Sequence, residues 1–301
     1  MTAPAKINLI RDTEHLKKVL DIPFSTEQLA AITADPAIPQ AIIAGAGAGK
    51  TAVMAARVVW LVGHLGFDPD RILGLTFTAK AAAELAGRVR NSLDLIGDFT
   101  DYGEPTVSTY HAFAGTLIAE HGLRLGIEPD LRVLADATRF QLAARVVRDH
   151  RGSLRYVSGW VPTVIGDLLA LDGQLAEHLV APDTVREFDQ AQLDEVEALA
   201  KKLKWNTELA DACRKRDELT VLVQEYREAK VAAEVMDFSD QMAWGAQLAE
   251  LAPVRESLQE RFDVVLLDEY QDTSIAQRDL LQSLFAGRPI SAVGDPAQGI
   301  Y

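Results

Sequence analysis

The chain has 301 residues, 48% of them apolar and 25% charged, which is enough for one large domain or two ordinary ones around a substantial core. Acidic residues outnumber basic ones 44 to 30, a formal charge of −14 at pH 7 that argues against a globally basic surface but not against a local basic track. No run approaches the roughly 20 uninterrupted apolar residues of a bilayer span. Met1–Leu20 holds no apolar signal core, Cys213 stands alone and the six histidines show no ligand spacing, so secretion, an internal disulfide and a Cys- or His-based metal site are not indicated. A cytoplasmic protein is expected.

In chain order, short apolar runs bounded by turn residues occur at Ala41–Ala44, Ile72–Leu75, Val264–Leu267 and Ile290–Val293. Continuous apolar character of this length predicts strands buried on both faces of a parallel sheet. Thr51–Val62, ending near Gly63, and the alanine-rich Ala79–Leu95 carry helical patterns, and Thr106–Ser108 adds a further short strand. Strand, helix, strand at this spacing is a βαβ unit, so the fold class is α/β. From about Leu123 to Val235 the chain reads instead as helices with long polar faces, an insertion before the α/β part resumes at Asp237.

Polar and unusual residues cluster just beyond the carboxyl ends of the predicted strands, the edge where open α/β sheets bind ligands. Ala44-Gly45-Ala46-Gly47-Ala48-Gly49-Lys50-Thr51 follows a strand and opens a helix. Small residues there let backbone N–H groups close around phosphate oxygens, and the helix N-terminus adds positive potential. Lys50 is expected to reach the β- and γ-phosphates of ATP and the Thr51 hydroxyl to ligate Mg²⁺. The strict pattern has Gly where Ala44 stands, and Gly-Lys-Thr alone is a weak signal; the strand before and the helix after strengthen it. Asp268-Glu269, at the end of Val264–Leu267, supplies one carboxylate for Mg²⁺ and one to deprotonate an attacking water. An acidic pair favoured by a helix N-terminus is the bland alternative.

Gln28, behind a Ser25 cap, has an amide that both donates and accepts and so suits an adenine edge; Gln298 after Asp295 is a candidate γ-phosphate sensor. Each taken alone reads equally as an ordinary surface glutamine. Phe77, Tyr110, His111 and Tyr301, with Thr78 and Thr109 beside them, stand where unpaired bases stack on aromatic side chains. An aromatic that seals the top of the core is the competing explanation for any one of them. Arg139, Arg145, Arg148, Arg151 and Arg155 form a basic stretch, followed by Lys201-Lys202-Lys204 and Arg214-Lys215-Arg216. Solvated faces explain each better than duplex phosphates do, since acidic residues intersperse the later two.

Together these segments resemble the ordered motifs of UvrD/Rep-like superfamily 1 DNA helicases over Phe24 to Tyr301. Phe24–Ile32 is similar to the family's adenine-reading Q motif and Ala44–Thr51 to its motif I, in which Ala at the Ala44 position also occurs. Thr76–Ala82, Ser108–Phe113 and Asp237–Asp240 resemble motifs Ia, Ib and Ic; Leu267–Thr273 resembles motif II and Gly294–Tyr301 motif III. Tyr110–Ala114 and Gly173–Leu179 look most like the B-type motor subunit of AdnAB helicase–nucleases.

The resemblance implies a RecA-like P-loop domain over 21–122 and 236–301, after a 1–20 extension, interrupted at 123–235 by a helical 1B domain. It also implies ATP-driven 3′-to-5′ translocation on single-stranded DNA, work at single-strand/duplex junctions in repair or recombination, and a possible heterodimeric helicase–nuclease partner. Two positions depart from the family pattern, Ala79 where many relatives carry Asn and Ala52 where many carry Arg. The second RecA-like domain, whose arginines stabilise the transferring phosphate, would follow Tyr301, so this polypeptide is expected to bind Mg-ATP and hydrolyse it poorly. The rival from another class is a nucleotide-binding scaffold without motor activity. A P-loop ATPase of the transporter kind lacks its own signature segment here.

Overall fold

The computed structural model describes residues 9–203 and 208–299. Lys204 and Tyr301 lie outside the described residues. In chain order the elements are α1 (Thr13–Leu20), α2 (Thr26–Thr33), β1 (Gln40–Ile43), α3 (Lys50–Gly63), β2 (Ile72–Thr76), α4 (Ala79–Asp94), β3 (Thr106–Thr109) and α5 (Tyr110–His121). Then follow β4 (Arg132–Val133), α6 (Asp136–Asp149), α7 (Val161–Glu177), α8 (Pro182–Leu203), α9 (Glu208–Ala232), β5 (Val235–Met236) and α10 (Phe238–Ala249). The chain ends in α11 (Ala252–Arg261), β6 (Val264–Leu267), α12 (Ile275–Leu284) and β7 (Ile290–Gly294).

The chain divides into two compact units, one of Met1–Thr116, Ala249–Thr273 and Arg278–Tyr301, the other of Leu117–Leu248 and Ser274–Gln277. The first is α/β, with a parallel sheet in the order β1-β7-β6-β2-β3. β2 and β6 are buried along their whole length, as their unbroken apolar runs require. β1 is not. It lies at the sheet edge, alternates between half-buried and exposed, and leaves Ile43 76% exposed. The expectation of burial on both faces fails at β1 and also at β7, which alternates between half-buried and buried although strands flank it on both sides.

The core of this unit gathers around α3, whose residues from Val53 to Gly63 are all buried. Arg57 lies among them at 1% exposure. Its guanidinium donates to the carbonyls of Ala31, Ile32 and Ala34, each at 3.1 Å, and to Ser291 Oγ at 3.1 Å. It thereby supplies a donor to carbonyls at the C-terminal end of α2, of which Ala31 O also accepts from Gln40 Nε2 at 3.1 Å. Burial lowers the Arg57 pKa.

The second unit is helical, its core built from α6, α7 and α9 with the short β4–β5 ladder at its edge. It contains Asp237–Leu248, where the sequence reading has the chain already returned to the α/β part. The tie is ionic. Buried Lys230 on α9 donates to Asp172 Oδ2 at 3.1 Å, Asp237 Oδ2 at 3.1 Å and Asp240 Oδ1 at 2.8 Å, while Arg227 donates to Asp172 Oδ1 at 2.6 Å. Burial pushes Asp240 up to about 6 despite the opposing lysine, and the charge of Asp237 adds to the rise.

Much of the basic character of this unit is internally matched. Arg148 pairs with Asp149, Arg214 with Glu197 and Asp211, Lys215 with Asp167 and Arg216 with Asp189. Solvated, salt-bridged faces account for those side chains. No helix among the described residues is long and apolar enough to cross a membrane.

Candidate nucleotide site

The loop Gly45–Gly49 leaves β1 and enters α3, whose first residue is Lys50. Ala48 N donates to Gly45 O at 3.2 Å, closing the loop into a turn. Gly49 is the N-cap, at φ +77°, and it provides no side-chain cap for α3. The first N–H groups of a 14-residue helix are thus open towards the loop, an arrangement suited to an anion. A Cβ on Gly49 would need a left-handed backbone and would sit 3.3 Å from Gln28 Nε2, so another residue here would be strained and would press on the Gln28 amide.

Gln28 does two things at once. Its backbone N–H bonds Ser25 Oγ and its Oε1 accepts from Ser25 N at 2.9 Å, a complete capping box for α2. Its Nε2 also donates to Ala48 O at 3.0 Å, fastening α2 to the loop. One amide hydrogen and one lone pair remain for a ligand.

Asp268 and Glu269 follow β6. Asp268 is 4% exposed; its backbone N donates to Leu75 O at 2.8 Å and its Oδ1 accepts from Glu269 N at 3.0 Å. Burial raises its pKa, the Glu269 charge adds to that, and Lys50 opposes it. Glu269 adopts a left-handed backbone, φ 50° and ψ 42°, which costs a non-glycine residue about 1–2 kcal/mol. The strained residue sets its Oε2 3.5 Å from Lys50 Nζ.

A relay extends from that pair. Gln271 Nε2 donates to Glu269 Oε2 at 2.6 Å and to Asp272 Oδ2 at 3.1 Å. Gln271 Oε1 accepts from Asp295 N at 2.9 Å, and the Asp295 carboxylate accepts from Ala297 N at 3.1 Å and from Gln298 Nε2. The ends of β1, β6 and β7 are thereby joined by one polar chain, Lys50–Glu269–Gln271–Asp295–Gln298. Gln271 and Asp295 were not among the residues the sequence singled out for catalysis. The side-chain amide of Gln271, able to donate one way and accept the other, is the signal that would have found it.

The donor set fits ATP and Mg²⁺. No cluster of three or more His, Cys, Asp or Glu that would hold a metal by itself occurs among the described residues. Magnesium beside a nucleotide keeps several waters and needs only one or two protein oxygens besides phosphate. Asp268, a buried carboxylate whose ionisation a cation would favour, and Thr51, second residue of α3, supply that chemistry.

The candidate DNA contacts fare differently. Thr78 and Thr109, just beyond β2 and at the end of β3, are helix caps: Thr78 Oγ1 accepts from Ala81 N and Thr109 Oγ1 from Ala112 N, both at 3.1 Å. Phe77 and His111 are half-buried, and burial lowers the His111 pKa. Tyr110 corrects the sequence expectation. It is 1% exposed, its ring packed inside the α/β unit, so it presents no face on which a base could stack. The aromatic seal, not the stacking platform, is the structural fact at Tyr110.

Residues 24–301 match the family model described as the UvrD/REP helicase N-terminal domain. Among curated relatives, the chain is 28% identical over 294 residues to a probable DNA helicase of Mycoplasma pneumoniae, covering 92% of this chain and 47% of that protein. It is 26% identical to DNA helicase II of Haemophilus influenzae over 86% of this chain and 32% of the relative. It is 30% identical to the ATP-dependent DNA helicase UvrD1 of Mycobacterium tuberculosis, over 87% and 32% respectively. The chain spans less than half the length of each of these relatives. With the Gly45–Gly49 loop, the Asp268–Glu269 pair and Gln298 on one sheet edge and the match running from Phe24 onwards, the chain belongs to the UvrD/REP helicase N-terminal domain family.

Proposed function

We propose that this chain is the ATP-binding motor part of a 3′-to-5′ DNA helicase that couples ATP hydrolysis to translocation on single-stranded DNA. The observation that carries the reading is the 3.5 Å ion pair of Lys50 with Glu269, which brings the helix-start lysine and a carboxylate from the end of β6 to one place and would have to open to admit a γ-phosphate. Lys50 neutralises charge on the phosphates, the open N–H groups at the start of α3 bind them, and Glu269 accepts the proton of the attacking water. Mg²⁺, when held by Asp268 and Thr51, supplies charge neutralisation at the β- and γ-oxygens. Gln28 positions the adenine, and Gln298 reports the γ-phosphate through Asp295 and Gln271. The finer placement, beside the B-type motor of AdnAB helicase–nucleases with a partner subunit, rests on Tyr110–Ala114 and Gly173–Leu179 alone. The helical unit takes the role of an accessory 1B domain, and a cytoplasmic role in repair or recombination at strand junctions follows from the same family reading.

The test is calorimetric binding of Mg-ATP, followed by steady-state hydrolysis with and without single-stranded DNA. Binding of Mg-ATP, with hydrolysis that responds to single-stranded DNA, is the expected result. Absence of nucleotide binding sinks the proposal, and binding with no effect of DNA leaves the scaffold role in its place.

A further inference from the structure

Three hydroxyls in the α/β unit are sealed from solvent and make no hydrogen bond of acceptable geometry: Thr76 Oγ1, Tyr110 Oη and Thr273 Oγ1. Burying a hydroxyl without a partner is unfavourable, and such atoms are uncommon in folded proteins. Their places in the fold are related. Thr76 ends β2 opposite Thr109 of β3, while its neighbour Leu75 is in register with Leu267 and accepts from Asp268 N. Tyr110 is the first residue of α5, directly after Thr109. Thr273 closes the turn that begins at Glu269, its N–H donating to Tyr270 O at 3.2 Å.

The Tyr110 hydroxyl lies within hydrogen-bonding reach of that of Thr273, in a geometry short of a formed bond, and this approach opposes the effect of burial, while the charge of Asp268 adds to it. Burial dominates and pushes the phenol up to about 12, so it stays a neutral donor. A neutral donor beside an unsatisfied hydroxyl needs only a small shift of the Glu269–Thr273 turn to complete a bond. That turn starts at a strained residue and carries the side chains that face Lys50.

We infer that Tyr110 is a positioning residue that couples the nucleotide site to the Thr109–His111 segment, by hydrogen bonding to Thr273 when bound nucleotide resets the Glu269–Thr273 turn. The inference rests on the ATP-binding role proposed above. Occupancy of the phosphate loop changes the balance at Lys50–Glu269, the turn settles, and the Thr273–Tyr110 bond holds the first turn of α5 in one place. The phenol thus serves from inside the unit the segment that it does not serve from the surface.

Hydrogen exchange of the whole chain, with and without Mg-AMP-PNP, tests this. Wild-type protein is expected to gain protection over residues 106–116 on nucleotide binding. Tyr110→Phe, which keeps the ring, is expected to retain nucleotide affinity and lose that gain; Thr273→Val is expected to behave alike, and it carries the test if Tyr110→Phe does not fold. A purely structural role would lower stability while leaving the nucleotide-dependent gain in place. Persistence of the gain in both variants, or its absence from nucleotide-bound wild type, overturns the coupling. Failure of wild type to bind Mg-AMP-PNP is a different result and overturns the functional reading beneath it.

Discussion

Lys50 Nζ and Glu269 Oε2 stand 3.5 Å apart although 219 positions separate them in sequence. β1 and β6 are not adjacent in the sheet; β7 lies between them. The pair therefore spans the carboxyl edge of β7, where Asp295 and Gln298 follow. A triphosphate laid along the loop would contact groups from all three strand ends.

Lys50→Ala removes the ammonium from that span. Charge-assisted hydrogen bonds contribute about 1.5–3 kcal/mol each, so Mg-ATP affinity is expected to fall by roughly 10- to 100-fold. Calorimetric titration checks this, and unchanged affinity would place the phosphates elsewhere.

Glu269→Gln keeps the size of the side chain and removes the base. Binding is expected to survive, since Lys50 loses only a competing carboxylate. Turnover is expected to drop by about 10²–10⁴-fold, the ordinary contribution of a general base. Pre-steady-state hydrolysis distinguishes the lost chemical step from slow product release.

Gly294→Ala perturbs the relay without touching a charged group. Its Cβ would lie 2.6 Å from Gln271 Oε1, so Gln271 must move and its bonds to Glu269 and Asp295 weaken. Misplacement on this scale lowers turnover by up to about 10²-fold. Nucleotide affinity is expected to change little, and a parallel loss of affinity would show that the relay also shapes the ground state.

Asp240 gives the helical unit a pH dependence whose sign is fixed. Its folded-state pKa of about 6 exceeds the ordinary 3.8, so the unfolded chain loses this proton first as pH rises. The stabilisation from the protonated form is complete below about 3.8 and is lost as pH rises through about 6. Asp240→Asn, which leaves Lys230 with Asp172 and Asp237, is expected to flatten that part of the stability curve. Urea midpoints followed by α-helical circular dichroism across this range decide it; parallel curves for the two proteins would refute the assignment.

Arg57→Met keeps the bulk of the side chain but takes the Arg57 donor from the carbonyls of Ile32 and Ala34, whereas Ala31 O keeps Gln40 Nε2. An unsatisfied buried acceptor costs about 1–3 kcal/mol, so a large drop in the denaturation midpoint is expected. Because α2 carries Gln28, weaker nucleotide binding should accompany it.

The strand ends were legible because β2 and β6 are buried on both faces and their unbroken apolar runs admit little else. β1 was placed correctly to within a residue but misjudged in environment, since its Ala-Ile-Ile composition is the same at an edge as in the centre. Tyr110 misled for a similar reason: an aromatic after a strand has one spelling whether its ring points out to a base or in to the core. Asp268, Glu269, Lys50 and Gln28 were legible as residue types at characteristic spacings, and the structure brings the first three to one edge. Arg57 was invisible. Nothing in the helix pattern around it separates a buried guanidinium that collects carbonyls from an ordinary surface arginine.

The outermost position of β1 has a practical outcome for anyone handling the protein. A strand that among the described residues has one unpaired side, with a solvent-facing isoleucine, is a template on which a second polypeptide can register. Concentrated samples should therefore self-associate through that margin, and Ile43→Lys should keep them monodisperse in light scattering without disturbing the phosphate loop a few residues away.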